Sequence, residues 1–303
     1  MYFNREITCL ITGANSGIGK AAAKELAKLG AAIILVSRNH TRGERTLAEL
    51  KAITGSNKFY LYITDLSSQN SILELTEKIK NKFSCLDILI NNAGAYFSKR
   101  HITVDGIEAT FAVNFLSRFL LTNLLLENIL RSKQGRIINI SGEYHRRGRI
   151  NFEDIEFSKN YSAFKAICQA RLADILFTYE LSRNLKETNI TSNCLHPGMV
   201  ATNLIYNDPD SSFMKRFFYK SISPFLKSPE EGAETVVYLA SSPEVANVSG
   251  KYFIDKKCVK SSAISYDEDI SQKLWRLSEQ MMKVDFPQNA FNKNKFLNEL
   301  KTK

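Results

Sequence analysis

The stretch Ile7-Thr8-Cys9-Leu10-Ile11-Thr12-Gly13-Ala14-Asn15-Ser16-Gly17-Ile18-Gly19 decides the fold. Its first five residues form a short β-rich run, and a glycine-rich turn follows. A helix-length segment, residues 17–29, opens directly on that turn. Three glycines at this spacing let a backbone turn tightly and approach a pyrophosphate. The helix start then offers unpaired N–H groups and the positive end of a dipole. A lone glycine trio is weak evidence, but strand, turn and helix in this order give it weight. The second β-rich run ends Ser37-Arg38-Asn39. An acidic residue there would hold a ribose 2′-hydroxyl, whereas an arginine suits a 2′-phosphate, so Arg38 points to NADP(H).

Outward from this turn the chain alternates. Short β-rich runs recur at residues 7–11, 31–36, 59–63, 86–90, 136–140, 190–195 and 251–254. Helix-length segments lie between most of them, at 17–29, 42–53, 71–83, 106–131, 161–185 and 230–239. This predicts an α/β protein of Rossmann type: one domain, with a doubly wound, mostly parallel sheet of about seven strands and helices on both faces. The domain runs over residues 1–284. Residues 285–303, rich in Asn and Lys, read as a loose basic tail.

Composition agrees. A length of 303 residues suits one large α/β domain, and 44% hydrophobic with 11% aromatic residues excludes a mainly disordered chain. The five cysteines (Cys9, Cys85, Cys168, Cys194, Cys258) are scattered, odd in number and never spaced C-x-x-C. That excludes a disulfide framework and predicts a reducing, cytoplasmic setting. No metal site is indicated. The first apolar run is too short for a secretory segment. No stretch approaches the roughly 18 apolar residues of a membrane span. The longest apolar segment, 111–130, is broken by Asn114, Arg118, Asn123, Glu127 and Asn128.

Five marks, in order and spacing, resemble the short-chain dehydrogenases/reductases. They are residues 12–19, Asp65-Leu66, Asn91-Asn92-Ala93-Gly94, Asn114 and Pro197-Gly198. The resemblance covers nearly all of residues 7–284. Phrases such as Ile150-Asn151-Phe152, Leu176-Phe177-Thr178-Tyr179-Glu180-Leu181 and Lys273-Leu274-Trp275 look like the retinol-dehydrogenase-like branch. The resemblance implies NADP(H) held by Gly13, Asn15, Ser16, Gly17, Ile18 and Gly19, with Arg38 at the ribose phosphate. It further implies Asp65 and Leu66 at the adenine and Asn92, Ala93 and Gly94 along the cleft. Pro197, Gly198, Val200 and Thr202 would embrace the nicotinamide end. Asn114 would hold a water in the proton relay.

The family moves a proton with a Ser, a Tyr and a Lys. Tyr161-Ser162-Ala163-Phe164-Lys165 spells the Y-x-x-x-K pattern, but the spacing argues against it. In the family about 26 residues separate the Lys from the Pro-Gly pair, which suits one helix and a turn. Arg171 lies 26 positions before Pro197, and Lys165 lies 32. In this register Ile167 stands for the Tyr, Arg171 for the Lys, and Gly142 for the Ser. Isoleucine has no proton to give, and arginine stays charged at neutral pH. Arg171 could still bind the ribose. Ser141, Tyr144 and Tyr161 are candidate surrogate acids, and His145 also carries a proton on the same loop as Tyr144. Tyr161 with Lys165 remains the alternative pair, their bland role being helix start and packing.

Lys and Arg exceed Asp and Glu by ten. The excess sits in four segments: 131–149 at +5, 211–227 at +4, 251–260 at +3 and 283–303 at +3, over a mildly acidic remainder. Residues 199–228 match the family's substrate lid. Within them, residues 213–226 interleave Phe and Tyr with Lys and Arg, which suits a hydrophobic small-molecule ligand and peripheral contact with an anionic membrane. No nucleic-acid recognition motif is evident. By resemblance the chain would be a monomer or homodimer. Three readings stay open: an NADP(H)-dependent oxidoreductase on a lipophilic carbonyl or alcohol with a degenerate relay, an inactive NADP(H)-binding regulator, and an ordinary carbonyl reductase using Tyr161 and Lys165.

Overall fold

The structure, a computed structural model, describes residues 3–201, 208–212, 220–221 and 226–284. Eight strands form one sheet: β1 (Thr8–Thr12), β2 (Ala32–Ser37), β3 (Phe59–Ile63), β4 (Ile88–Asn91), β5 (Gly135–Ile140), β6 (Ile190–His196), β7 (Tyr252–Ile254) and β8 (Lys257–Val259). Their order is β3-β2-β1-β4-β5-β6-β7-β8, parallel throughout except for the β7–β8 pair. All six residues of β2 and of β5 are buried. A sheet covered on both faces needs apolar runs of this kind rather than alternation. The doubly wound expectation therefore holds.

The eighth strand was not foreseen. It closes a hairpin on Asp255 and Lys256, both with positive φ (48° and 63°), as a two-residue primed turn requires. Three residues, two of them exposed, leave too little apolar pattern to read as a strand.

One face of the sheet carries α1 (Gly17–Lys28), α2 (His40–Thr54) and α8 (Pro229–Ser241). The other carries α3 (Gln69–Lys82), α5 (Ser117–Leu124), α7 (Ala163–Asn184) and α9 (Glu268–Met282). Helix α9 was not read from the sequence. Its Asp267 cap accepts the Ile270 N–H, and its Trp275 packs edge-on against Phe119 at 5.0 Å.

Two expected helices come out differently. Residues 106–131 form no single helix. They divide into α4 (Ala109–Phe111), a π-helical turn (Ala112–Leu116), α5 and α6 (Leu126–Leu130). The helix expected from 161 starts at Ala163, because Ser162 is its cap and accepts the Lys165 N–H. Tyr161 thus lies outside it.

Part of the positive charge is structural. Buried Arg136 donates to Leu239 O and Ser242 O, both at 2.8 Å, at the C-terminus of α8. A cation there meets the negative end of the helix dipole. Lys227 and Lys256 pair with Asp255 and Glu234, both at 2.6 Å. All five cysteines are free thiols. Among the described residues no helix is long and apolar enough to cross a membrane. Most of the 213–226 lid and the whole 285–303 tail lie outside the described residues.

Candidate active site

In a doubly wound sheet the functional crevice opens at the carboxyl ends of the strands where the winding reverses. Here that point lies between β1 and β4. The glycine turn sits on it. Gly13 and Gly17 have φ of +64° and +55°, a region that other residues enter only with strain. Gly19 is held tighter still. A Cβ there would lie 2.5 Å from Asn92 Nδ2 and 2.7 Å from Gly13 O.

Thr12 latches the turn to β4. Its Oγ1 accepts the N–H groups of Asn92 and Ala93, both at 3.0 Å. Asn92 Nδ2 donates back to Thr12 O at 2.7 Å and Gly13 O at 3.1 Å. Ser16 caps α1 with extended backbone, yet its hydroxyl makes no capping bond. Ile18 is buried, and Asn15 O accepts from Thr46 Oγ1 at 3.0 Å. Arg38 is exposed just beyond β2. Asp65 accepts the N–H and hydroxyl of Ser67, and Leu66 packs on the core beside it.

On the other wall, Gly198 (φ +89°) brings the chain against Lys227, whose Cδ would meet a Cβ at 2.8 Å. Pro197 starts this turn. Val200 bridges to Lys227 and fills the space left by Gly232. Thr202 lies outside the described residues.

The π-helical turn brings Asn114 into the cleft. Such turns occur where a helix must reposition a side chain. Asn114 Nδ2 donates to Ala95 O and Thr110 O at 2.8 Å, and its Oδ1 accepts from Arg171 Nη2 at 3.4 Å. Gly94 makes this approach feasible, since a Cβ there would lie 2.9 Å from Asn114 Oδ1. Arg171 Nη1 donates to Ile140 O at 3.1 Å and to Asp174 Oδ2 at 3.3 Å. Ile167, one turn earlier, is buried. A Cβ on Gly142 would lie 3.9 Å from Arg171 Cδ. Gly142, Arg171, Asn114 and Gly94 therefore meet.

The polar groups of the other candidates are spent on other partners or lie exposed. Ser141 is buried, and its hydroxyl donates to Arg171 O at 2.8 Å. Tyr144 is exposed, its ring edge on Phe164. His145 Nδ1 bonds Gly142 O at 2.8 Å, and its Nε2 accepts the Ser262 N–H. Tyr161 OH sits 3.0 Å from Thr110 Oγ1 and donates to Phe97 O at 3.2 Å. Burial pushes its phenol up to about 12. Lys165 is exposed.

The sequence reading passed over Arg118 and Asp174, a tightly buried ion pair. Their side chains are 3% and 1% exposed and pair at 2.9 Å. Arg118 also donates to Ile140 O and Ala93 O, at 2.6 and 2.7 Å. Burial pushes the Asp174 carboxyl up and the Arg118 guanidinium down, and the opposite charge of each partner works against that shift. A signal existed. Each stands in a run of apolar helical residues, where a charge must find a partner. His196 was missed as well. Its buried Nδ1 has no hydrogen-bond partner among the described residues.

Fold and site define a doubly wound α/β protein with a phosphate-type turn at its switch point. The family model for short chain dehydrogenase matches residues 8–211. Retinol dehydrogenase 14 of Homo sapiens is 40% identical over 288 residues, covering 91% of this chain and 86% of that one. Retinol dehydrogenase 13 of Homo sapiens is 39% identical over 283 residues, covering 92% and 86%. The crystal structure of an uncharacterized protein from Mycobacterium Paratuberculosis superposes with a TM-score of 0.74 at 30% identity, covering 93% of this chain and 95% of that one. A short chain dehydrogenase from Shigella flexneri, complexed with NADP, superposes at 0.65 with 21% identity, covering 84% and 98%. At that identity it speaks to fold alone. The chain belongs to the short-chain dehydrogenase family, a family of oxidoreductases.

Proposed function

We propose that this chain binds NADP(H) and acts on a lipophilic carbonyl or alcohol compound through a site whose usual Ser, Tyr and Lys are Gly142, Ile167 and Arg171. One observation carries the reading: Arg171, and not Lys165, meets Asn114, Gly94 and Gly142 in the cleft.

The residues fit the cofactor. Gly13 and Gly19 are pressed against Asn92 and Ala93, leaving a cradle that any side chain would fill. The uncapped start of α1 directs N–H donors and a positive dipole end to a pyrophosphate. Arg38 would take the ribose 2′-phosphate, Asp65 the adenine, and Arg171 the nicotinamide ribose. Gly198 and Val200 would cover the far end. The chemistry that NADP(H) supplies when bound is hydride transfer. Two similar proteins are named retinol dehydrogenases, and a short chain dehydrogenase of this fold is complexed with NADP. The names are in keeping with an apolar substrate, and the complexed structure of the same fold is in keeping with the cofactor.

At the reacting end this chain offers a fixed cation, Arg171, and a buried apolar surface, Ile167. Arg171 orients and holds charge, but it cannot shuttle a proton. A second reading, a binder without turnover, is favoured by Ile167 alone. A missing general acid typically costs 10²–10⁴-fold in rate.

Two experiments test this. Tyr161→Phe should leave the rate of NADPH oxidation with retinal or decanal within twofold of the unaltered chain. A tenfold loss with the fold intact would restore Tyr161 as the acid. The triple change Gly142→Ser, Ile167→Tyr and Arg171→Lys should raise carbonyl reduction by roughly 10²–10⁴-fold. At Gly142 an added Cβ meets no atom closer than 3.9 Å, and the backbone there is extended.

Arg38→Asp should move the preference from NADPH toward NADH by at least about tenfold in affinity ratio, since it exchanges a phosphate partner for a hydroxyl partner. Titration by cofactor fluorescence reads this. No change in the ratio would remove Arg38 from the ribose end.

A further inference from the structure

The register of the β5–β6 pair carries the argument. Ile140 lies opposite Leu195, and Ser141 N–H donates to Leu195 O. His196, the last residue of β6, and Gly142, two residues past the end of β5, are therefore drawn together. The point a Gly142 Cβ would occupy lies 3.9 Å from His196 Nδ1 and 4.0 Å from Arg171 Nε. Two nitrogens thus border the space that a side chain on Gly142 would enter. His196 Nδ1 is buried and lacks a partner among the described residues. Arg171 spends its two terminal nitrogens on Ile140, Asp174 and Asn114, and its Nε makes no hydrogen bond among the described residues. A buried polar nitrogen without a partner is rare, and one that stands beside a second donor calls for an acceptor.

Charge decides which acceptor. Arg118 and Arg171 share one carboxylate, Asp174, so the cluster keeps one surplus positive charge. The other groups near His196 are already matched. Glu143 accepts from Arg146 and Tyr252, Asp255 pairs with Lys227, and His145 is held between Gly142 O and the Ser262 N–H. A carbonyl oxygen would leave the surplus standing, whereas a carboxylate neutralises it and takes charge-assisted hydrogen bonds.

We infer that the hollow at Gly142 is a carboxylate subsite, with His196 Nδ1 and Arg171 Nε as donors to the acid group of an apolar ligand. This rests on the reading of the cleft as the substrate end of the cofactor site. Burial holds the His196 imidazole below its usual range. It is then neutral at neutral pH, and one ring nitrogen donates.

The test is calorimetric titration of the full chain with decanoate and with decanol, each with and without NADPH. Decanoate should bind at least tenfold tighter than decanol. His196→Leu should weaken decanoate binding at least fivefold. His196→Asn, which carries a donor close to the Nδ1 position, should stay within twofold of the unaltered chain. Gly142→Ala puts a methyl into the space and should also cost at least fivefold. Decanol and NADPH affinities should not change in the two His196 variants. Decanoate binding no tighter than decanol, or full affinity in the Leu and Ala variants, overturns the subsite. NADPH failing to bind the unaltered chain would instead sink the cofactor proposal, while the decanoate series would still decide the subsite.

Discussion

Gly17→Glu should abolish NADPH binding, with a loss of at least about 100-fold in affinity, or roughly 2.7 kcal/mol. Two effects add. Gly17 adopts φ of +55° at the first position of α1, and a side chain there costs on the order of 1–2 kcal/mol. The carboxylate then meets the pyrophosphate where the helix start would otherwise attract it. Gly17→Ala separates the two, because it carries the backbone strain without the charge, and it should lose less. Fluorescence titration with NADPH measures both. Unchanged affinity in the Glu variant would mean that the turn does not hold the nucleotide.

The second large effect is on stability. Arg118→Met should lower the unfolding free energy by about 3–5 kcal/mol, read by urea denaturation. The cause is what the change leaves behind: Asp174, 1% exposed, keeps only the longer contact to Arg171 at 3.3 Å. Two backbone carbonyls, Ile140 O and Ala93 O, also lose donors. Removing both ions, as Arg118→Met with Asp174→Leu, should recover part of the loss, since no carboxylate is then stranded. Recovery stays partial because Ala93 O loses its Arg118 donor and Ile140 O keeps only Arg171. A loss under about 0.5 kcal/mol, the size of a surface substitution, would contradict the burial argument.

Much of this was legible in the chain. Alternation of apolar runs with helix-length segments located seven of the eight strands, because a strand buried on both faces must be apolar along its length. The three-residue strand β8 was not legible, since its turn relies on Asp255 and Lys256, residues without a glycine's signature. Helix α9 was passed over although it carries a capping Asp267. The break in residues 106–131 left no mark either, for a π-helical turn needs no Gly or Pro.

At the site, counting back from Pro197 singled out Arg171, and Arg171 does lie in the cleft beside Asn114. Counting worked there because α7 and β6 are regular elements with fixed rise per residue. The same count could not say where Tyr161 points. Its ring turns to Thr110 and Phe97, more than fifty residues away in the chain, because Ser162 ends the loop before the helix begins.

By itself, the sequence determined the local things: the strand–turn–helix of residues 7–28, the apolar runs of the sheet, and which residue types stand at the relay positions. These depend on neighbours within a few residues, whose dihedral and hydrogen-bonding preferences act wherever the chain lies. The tertiary structure alone decided that Arg118 and Asp174, 56 positions apart, share one buried pair, and that His196 stands against Gly142. Those contacts follow from which strands and helices pack together. A buried charge or an unpartnered nitrogen is stabilised only by what packing brings to it.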